Sequence, residues 1–165
     1  MTGHAIDNFS QFDPGTNQAT LLQNLNAFGL EGRVQLHVLD CEEFLHGARG
    51  TLPRVGVYFY DGAHDYRSQL MGLLLAVPLL ANQALIVVDD SNSQAVCQAT
   101  WDFVAVRSEC HLTLDLMTPR NAHSSFWNGL HVLTWRAGVD NGYSRADLLA
   151  NRQPTPTAWK PSRRG

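Results

Sequence analysis

One lysine, Lys160, and three cysteines, Cys41, Cys97 and Cys110, are all that this 165-residue sequence has of either type. The cysteines are odd in number, far apart and never spaced as CxxC, which argues against a disulfide framework or a thiolate zinc site. No HExxH or similar spacing occurs, so a histidine-ligated zinc site is unsupported as well. Charge is also scarce: 16 % of residues are charged and the formal net charge is −3. That balance offers no electrostatic reason to bind nucleic acid or an acidic membrane. The N-terminus has no basic segment followed by an apolar run, so no signal peptide is expected. The longest apolar stretch, around Leu70 to Ala81, is too short and interrupted to span a bilayer. No internal repeat is found. These absences fit a reducing, cytoplasmic setting.

What is present fits one soluble domain. Apolar residues make up 44 % of the chain, enough at this length to bury a hydrophobic core. Basic charge gathers only at Arg152, Lys160, Arg163 and Arg164, among Pro154, Pro156 and Pro161, which reads as a solvated tail. The expected division is a folded domain over residues 1–137 and a partly disordered C-terminal extension over residues 138–165.

Short apolar runs alternate with amphipathic segments, the pattern of an α/β domain. Strands are expected at His4–Asp7, Val34–Leu39, Val55–Tyr60 and Ala84–Val88. Asp13-Pro14 reads as an N-cap with proline at the first helical position. Leu21, Leu22, Leu25 and Phe28 then form one helical face, with Gly29 as the stop. Further helices are expected at Asp40–His46, from Tyr66 to Val77 and at Gln94–Arg107, with Pro78 discouraging continuation of the second. Alternation at Leu112, Leu114 and Leu116, followed by Leu130–Trp135, predicts an antiparallel pair at one edge of the sheet.

Polar residues cluster where the predicted strands end, and open α/β sheets bind ligands there. Asp7-Asn8, Asp40-Cys41, Asp61-Gly62-Ala63-His64 and Asp89-Asp90-Ser91-Asn92 follow the four strands in turn. Each has a plain alternative. Asp7 could begin an Asx-turn or offer its two carboxylate oxygens to the hydroxyls of a ribose. Asp40, with Glu43 three residues on, resembles a capping box. Asp61 with Asp89-Asp90 suits a hard divalent ion such as Mg²⁺, or else one aspartate caps a helix and the other faces water. His64 could serve as a base near neutral pH or simply as a hydrogen-bonding histidine. His37 and His131 lie within strands and read as structural.

Taken in order, Ala5-Ile6-Asp7-Asn8-Phe9-Ser10-Gln11-Phe12, Asp61-Gly62-Ala63-His64, Asp89-Asp90 and Trp127-Asn128-Gly129 resemble a family of class I S-adenosylmethionine-dependent methyltransferases. The similarity runs from about residue 4 to residue 136. It implies a Rossmann-like, three-layer sheet, mostly parallel with an antiparallel edge pair. It also implies an O-methyltransferase acting on a small molecule or sugar. Asp7, Asn8, Asp40, Cys41 and Asp61 would contact the cofactor, Asp7 at the ribose and Asp40 with Cys41 at the adenine. Asp61 and His64 would be catalytic, and Asp61, Asp89 and Asp90 would hold Mg²⁺ where a metal is used.

The sequence departs from the family pattern in two places. The family's first strand, with its glycine-rich turn, has no counterpart, and the expectation is that this strand is missing through truncation. An exposed sheet edge would then favour a homo-oligomer. Ser91 also follows Asp90 where relatives carry an aromatic residue. Two rival readings are a catalytically inactive remnant serving as a binding or assembly module, and a receiver-like phosphoryl-transfer domain. The second would need a lysine near the site, and the only one lies in the tail.

Overall fold

In the computed structural model, which describes residues 2–11 and 15–151, the elements alternate as the sequence predicts. In order they are β1 (Gly3–Ile6), α1 (Thr16–Ala27), β2 (Val34–His37), α2 (Cys41–Gly47), β3 (Val55–Tyr60) and α3 (Tyr66–Ala76). A 3-10 turn (Val77–Leu79) follows, then β4 (Leu80–Asp89), α4 (Gln94–Val106), β5 (Cys110–Leu116), β6 (Leu130–Arg136) and α5 (Arg145–Asn151). The Asp13-Pro14 cap and the basic tail lie outside the described residues. Gly29 does close the first helical segment, at φ 66°, a backbone region that glycine enters without steric cost.

The larger sheet has the order β3-β4-β6-β5. β3 runs parallel to β4, while β6 is antiparallel to both β4 and β5, which places the predicted antiparallel pair at the sheet edge. β4 begins four residues before the aliphatic run Ala84–Val88. Its polar start is held by ladder pairing on both sides, Val55 opposite Leu80 and Arg136 opposite Gln83. Backbone hydrogen bonding there overrides the weak local preference. β1 and β2 form a separate parallel pair, and no ladder joins it to β3 among the described residues.

α3 and α4 cover one face of the four-stranded sheet. Leu73, Val96, Phe103 and Val104 pack there against Ile86, Val88, Leu133 and Trp135. The opposite face shows the alternate residues of the same strands, and Val57, Phe59 and Leu85 are 63, 54 and 42 % exposed. α1 buries none of its residues, so its apolar stripe has no cover among the described residues. The segment after β6 is latched to the edge strand. Asn141 donates to the Cys110 carbonyl at 2.8 Å, and the Tyr143 ring stacks on His111 at 5.0 Å. Tyr143 and Leu148 pack, partly buried, against the core from this segment.

Two close fits carry consequences for stability. Tyr60 is buried and its hydroxyl donates to the Ser68 carbonyl, which lays the ring across Gly62 and Gly72. A Cβ at Gly72 would come within 2.2 Å of the ring. Gly72→Ala is expected to destabilise the fold by about 1–3 kcal/mol, the usual cost of overpacking. A lowered urea midpoint at unchanged slope would show it.

His131 is fully buried on the α4 side of β6, with Asp115 Oδ1 3.4 Å from its Nε2. Burial lowers its pKa, and Asp115 offsets only part of that effect. The folded value therefore lies below the unfolded one of about 6.5, and between the two the unfolded chain binds more protons. Stability from this group is complete above pH ~6.5 and falls as pH drops through the lowered value. Urea midpoints measured from pH 7.5 to 5.5 should decline for the native chain and decline less for His131→Gln.

Candidate active site

The parallel pairing of β1 with β2, Ile6 opposite His37, brings the first two aspartates to neighbouring strand ends. Asp7 makes the Asx-turn: its Oδ1 accepts from the Phe9 amide at 2.7 Å, and Phe9 is buried. Asn8 repeats the device one residue on, accepting from the Ser10 amide at 3.0 Å. Asp40 makes the predicted cap, its Oδ1 accepting from the amides of Glu42 and Glu43 at 2.8 and 3.3 Å. In both aspartates the bonds made among the described residues engage Oδ1. Cys41 lies half-buried beside Tyr58, and burial pushes its thiol pKa up, so it behaves as a neutral contact. Glu42 is held by Arg67 through two bonds of 2.6 and 3.0 Å, clamping the start of α2 to α3.

The ends of β3 and β4 converge on one cluster. His64 Nε2 lies 2.6 Å from Asp90 Oδ2 and 3.9 Å from Asp61 Oδ1. Asp90 is buried and adopts φ 57°, and its other oxygen accepts from the Asn128 amide group. Asp89 turns Oδ1 back onto the Asp90 amide at 2.8 Å. Asp61 is about half-exposed. Its pKa is raised by burial first, and then by the charges of Asp89 and Asp90, with His64 acting the other way. Asp61, His64 and Asp90 thus come together, each with one donor atom within 4.8 Å of the others. Asp89 contributes charge from the side.

Three supporting roles were not read from the sequence, although Asn92 and Asn128 stand in segments it singled out. Asp65 caps α3, its Oδ1 accepting from the Ser68 amide at 3.0 Å, and so fixes the turn that carries His64. The spacing Asp65-x-x-Ser68 before an apolar run was the signal available. Asn128 orients Asp90, a role that a Trp-Asn-Gly motif does not disclose by itself. Asn92 pins the loop after β5: it donates to Thr118 Oγ1 at 2.8 Å and accepts from the Thr118 amide at 3.1 Å. Its own amide donates to the Asn128 carbonyl at 2.8 Å. Gly129 permits this approach, because a Cβ there would meet Asn92 Oδ1 and Ser91 Oγ at 2.6 Å. Ser91, where an aromatic residue was the family expectation, is fully buried, with Oγ 3.9 Å from Met117 Sδ.

Chemically, this is a histidine held by a buried carboxylate that is itself held by an amide. With Nε2 directed at Asp90, the imidazole's Nδ1 has no bond among the described residues. Two carboxylates and an imidazole at this spacing also form a donor set that a divalent cation can use.

Comparison with known proteins agrees with this fold. A family model described as a methyltransferase domain matches residues 2–91. A methyltransferase from Geobacter sulfurreducens superposes with a TM-score of 0.52 at 19 % identity, over 82 % of this chain and 58 % of that one. The O-methyltransferase TomG from Streptomyces achromogenes, involved in tomaymycin synthesis and solved with S-adenosylmethionine, gives 0.60 at 17 %, over 81 % and 61 %. An O-methyltransferase from Bacillus cereus, solved with S-adenosylhomocysteine, gives 0.62 at 12 %, over 82 % and 63 %. The chain therefore spans about three-fifths of the length of these structures. No curated protein sequence matches it.

Proposed function

The chain belongs to the methyltransferase-domain family, and from that premise we propose that it transfers the methyl group of S-adenosylmethionine to an oxygen of a small molecule. The observation that carries this reading is the His64–Asp90–Asn128 relay beside Asp61. It stands at the strand ends where open α/β sheets bind ligands. The Oδ2 atoms of Asp7 and Asp40, without a bond among the described residues, would suit the polar edges of a nucleoside: Asp7 the ribose hydroxyls, with Asn8 holding the turn, and Asp40 with Cys41 the adenine.

When bound, S-adenosylmethionine supplies an electrophilic methyl carbon. His64 takes the proton of the acceptor hydroxyl at Nδ1, and Asp90 stabilises the imidazolium that results. The acceptor oxygen, with its proton held at His64, would be the nucleophile for that carbon, and sulfur would keep the electron pair of the broken bond. Asp61 lies beside the pair, where it helps hold the acceptor in line. Asp61, His64 and Asp90, with the charge of Asp89 beside them, are the residues that would hold a divalent ion. Such an ion would orient the hydroxyl and lower its pKa.

One observation favours a second reading, a non-catalytic module on the same scaffold. No ladder joins the β1–β2 pair to the four-stranded sheet among the described residues, so Asp7 and Asp40 rest on one sheet and the His64–Asp90 pair on another. Calorimetric titration of S-adenosylmethionine, in Mg²⁺ and in EDTA, separates the two. Saturable binding that S-adenosylhomocysteine competes away supports methyl transfer. A folded chain that binds neither compound supports the module. An enthalpy or affinity that changes between Mg²⁺ and EDTA would support the metal.

A further inference from the structure

β1 and β2 carry one histidine each, and their register brings the two together. In the parallel ladder His4 stands opposite Gln35 and His37 opposite Ile6. Residues two apart along a strand share a face, so the two histidines lie diagonally across one face of the pair. His4 Nδ1 is 3.0 Å from His37 Nε2, and the rings stack with centroids 5.3 Å apart and planes 22° apart. The Phe44 ring of α2 backs His37 at 4.4 Å between centroids. Both histidines are half-buried. Burial first, and His4 second, lowers the His37 pKa, so its imidazole is neutral at pH 7.

Two ring nitrogens at 3.0 Å can be joined by one proton or by one cation. With bonds of about 2.0–2.1 Å, usual for an imidazole on a metal, that separation subtends roughly 90–95° at the ion. Neighbouring positions of a tetragonal or octahedral ion meet at this angle, whereas a tetrahedral ion would need about 3.3 Å between the nitrogens. Among the described residues, the one cluster of three His, Cys, Asp or Glu donors is Asp61, His64 and Asp90. The histidine pair therefore has no carboxylate or thiolate completing a set of three, and water would fill the remaining positions. Two neutral nitrogens are a poor match for Mg²⁺ or Ca²⁺, which take oxygen ligands, and a good one for Ni²⁺ or Cu²⁺.

We propose that His4 and His37 form a two-nitrogen site for a first-row cation of the Ni²⁺ or Cu²⁺ class, separate from the Asp61–His64–Asp90 cluster. The ion takes the place of the proton between the rings. That proton passes through solvent to the same ring's other nitrogen, which has no bond among the described residues, so both imidazoles stay neutral. The site stands three residues before Asp7 on one strand and three before Asp40 on the other. It fastens together the two strands that bring those aspartates to neighbouring ends, whether or not methyl transfer follows.

Nitrogen-15 NMR of the full chain with Ni²⁺ as the probe tests this, since the paramagnetic ion broadens the amides nearest to it. At the lowest Ni²⁺ concentrations the amides of His4, Ala5, Leu36 and His37 should broaden before those of Asp61, His64 and Asp90. About a tenfold excess of Mg²⁺ should not relieve that broadening, because a hard cation does not compete for imidazole. Calorimetry should show Ni²⁺ bound roughly ten- to a hundredfold more weakly by His37→Gln and by His4→Gln, the loss of one of two linked ligands. His37→Gln leaves His4 and the start of the chain intact, so native affinity in that variant would place the ion elsewhere and overturn the proposal. Broadening that begins at Asp61, His64 and Asp90, or that Mg²⁺ relieves, would overturn it equally. The order of broadening is read on the native chain, so the test stands even where a variant folds poorly.

Discussion

Asp7→Asn is expected to weaken S-adenosylmethionine binding by about 10- to 100-fold while leaving the fold intact. The carboxylate has two tasks that the substitution separates. Its Oδ1 accepts from the Phe9 amide and so holds the turn after β1, and asparagine can keep that bond through its own oxygen. Its Oδ2 and negative charge are what a ribose edge would use, and asparagine places a donor there instead. Charge-assisted hydrogen bonds contribute about 1.5–3 kcal/mol each, and 1.4 kcal/mol is a factor of ten. Calorimetry reads the affinity, and a urea midpoint matching the native value confirms that the turn survives. An unchanged affinity would reduce Asp7 to the Asx-turn alone and remove it from the cofactor site.

Asp90→Ala should lower methyl transfer by about 10²- to 10³-fold, the range for losing a positioned acid–base group. The variant leaves His64 without its 2.6 Å partner and Asn128 without its acceptor. It also puts alanine at φ 57°, where aspartate is the better tolerated residue. Release of S-adenosylhomocysteine in the presence of a hydroxyl-bearing acceptor reads the rate, and calorimetry with S-adenosylmethionine reads cofactor binding. A slow rate at near-native cofactor affinity would show that the pair serves proton transfer. A variant as fast as the native chain would remove His64 from the chemistry. Gly129→Ala would disturb the same loop from outside, through Asn92 and Ser91, and makes a useful comparison.

Both predictions concern residues that stood out in the sequence, yet their surroundings were legible to different degrees. Asp7 and Asp40 were readable because a turn or a cap involves amides two or three residues away. The antiparallel β5–β6 pair was readable because no strong helical pattern separates two alternating runs. His64 was recognised as a candidate, but its partner was not. The sequence suggested Asp61, Asp89 and Asp90 as one group. The cluster that forms is Asp61, His64 and Asp90, with Asp89 bonded to its neighbour's amide. Successive residues at the end of a strand point in different directions, and nothing local says which of two aspartates faces the site. The glycine of Asp-Gly-x-His had a steric reason visible only in three dimensions, since the Tyr60 ring occupies the space a Cβ would need.

By itself the sequence determined the α/β class, the order of the elements and the row of carboxylates at strand ends. Each of these depends on periodicity or on hydrogen bonds spanning a few residues. Only the tertiary structure decided which of those carboxylates meet. Asn128 reaches Asp90 across 38 positions of chain, through a β4–β6 register that sets Leu130 opposite Asp89. Register is a property of two strands together: it is settled by the packing of Ile86, Val88, Leu133 and Trp135 against α4, and a slip of one residue would turn every side chain to the other face.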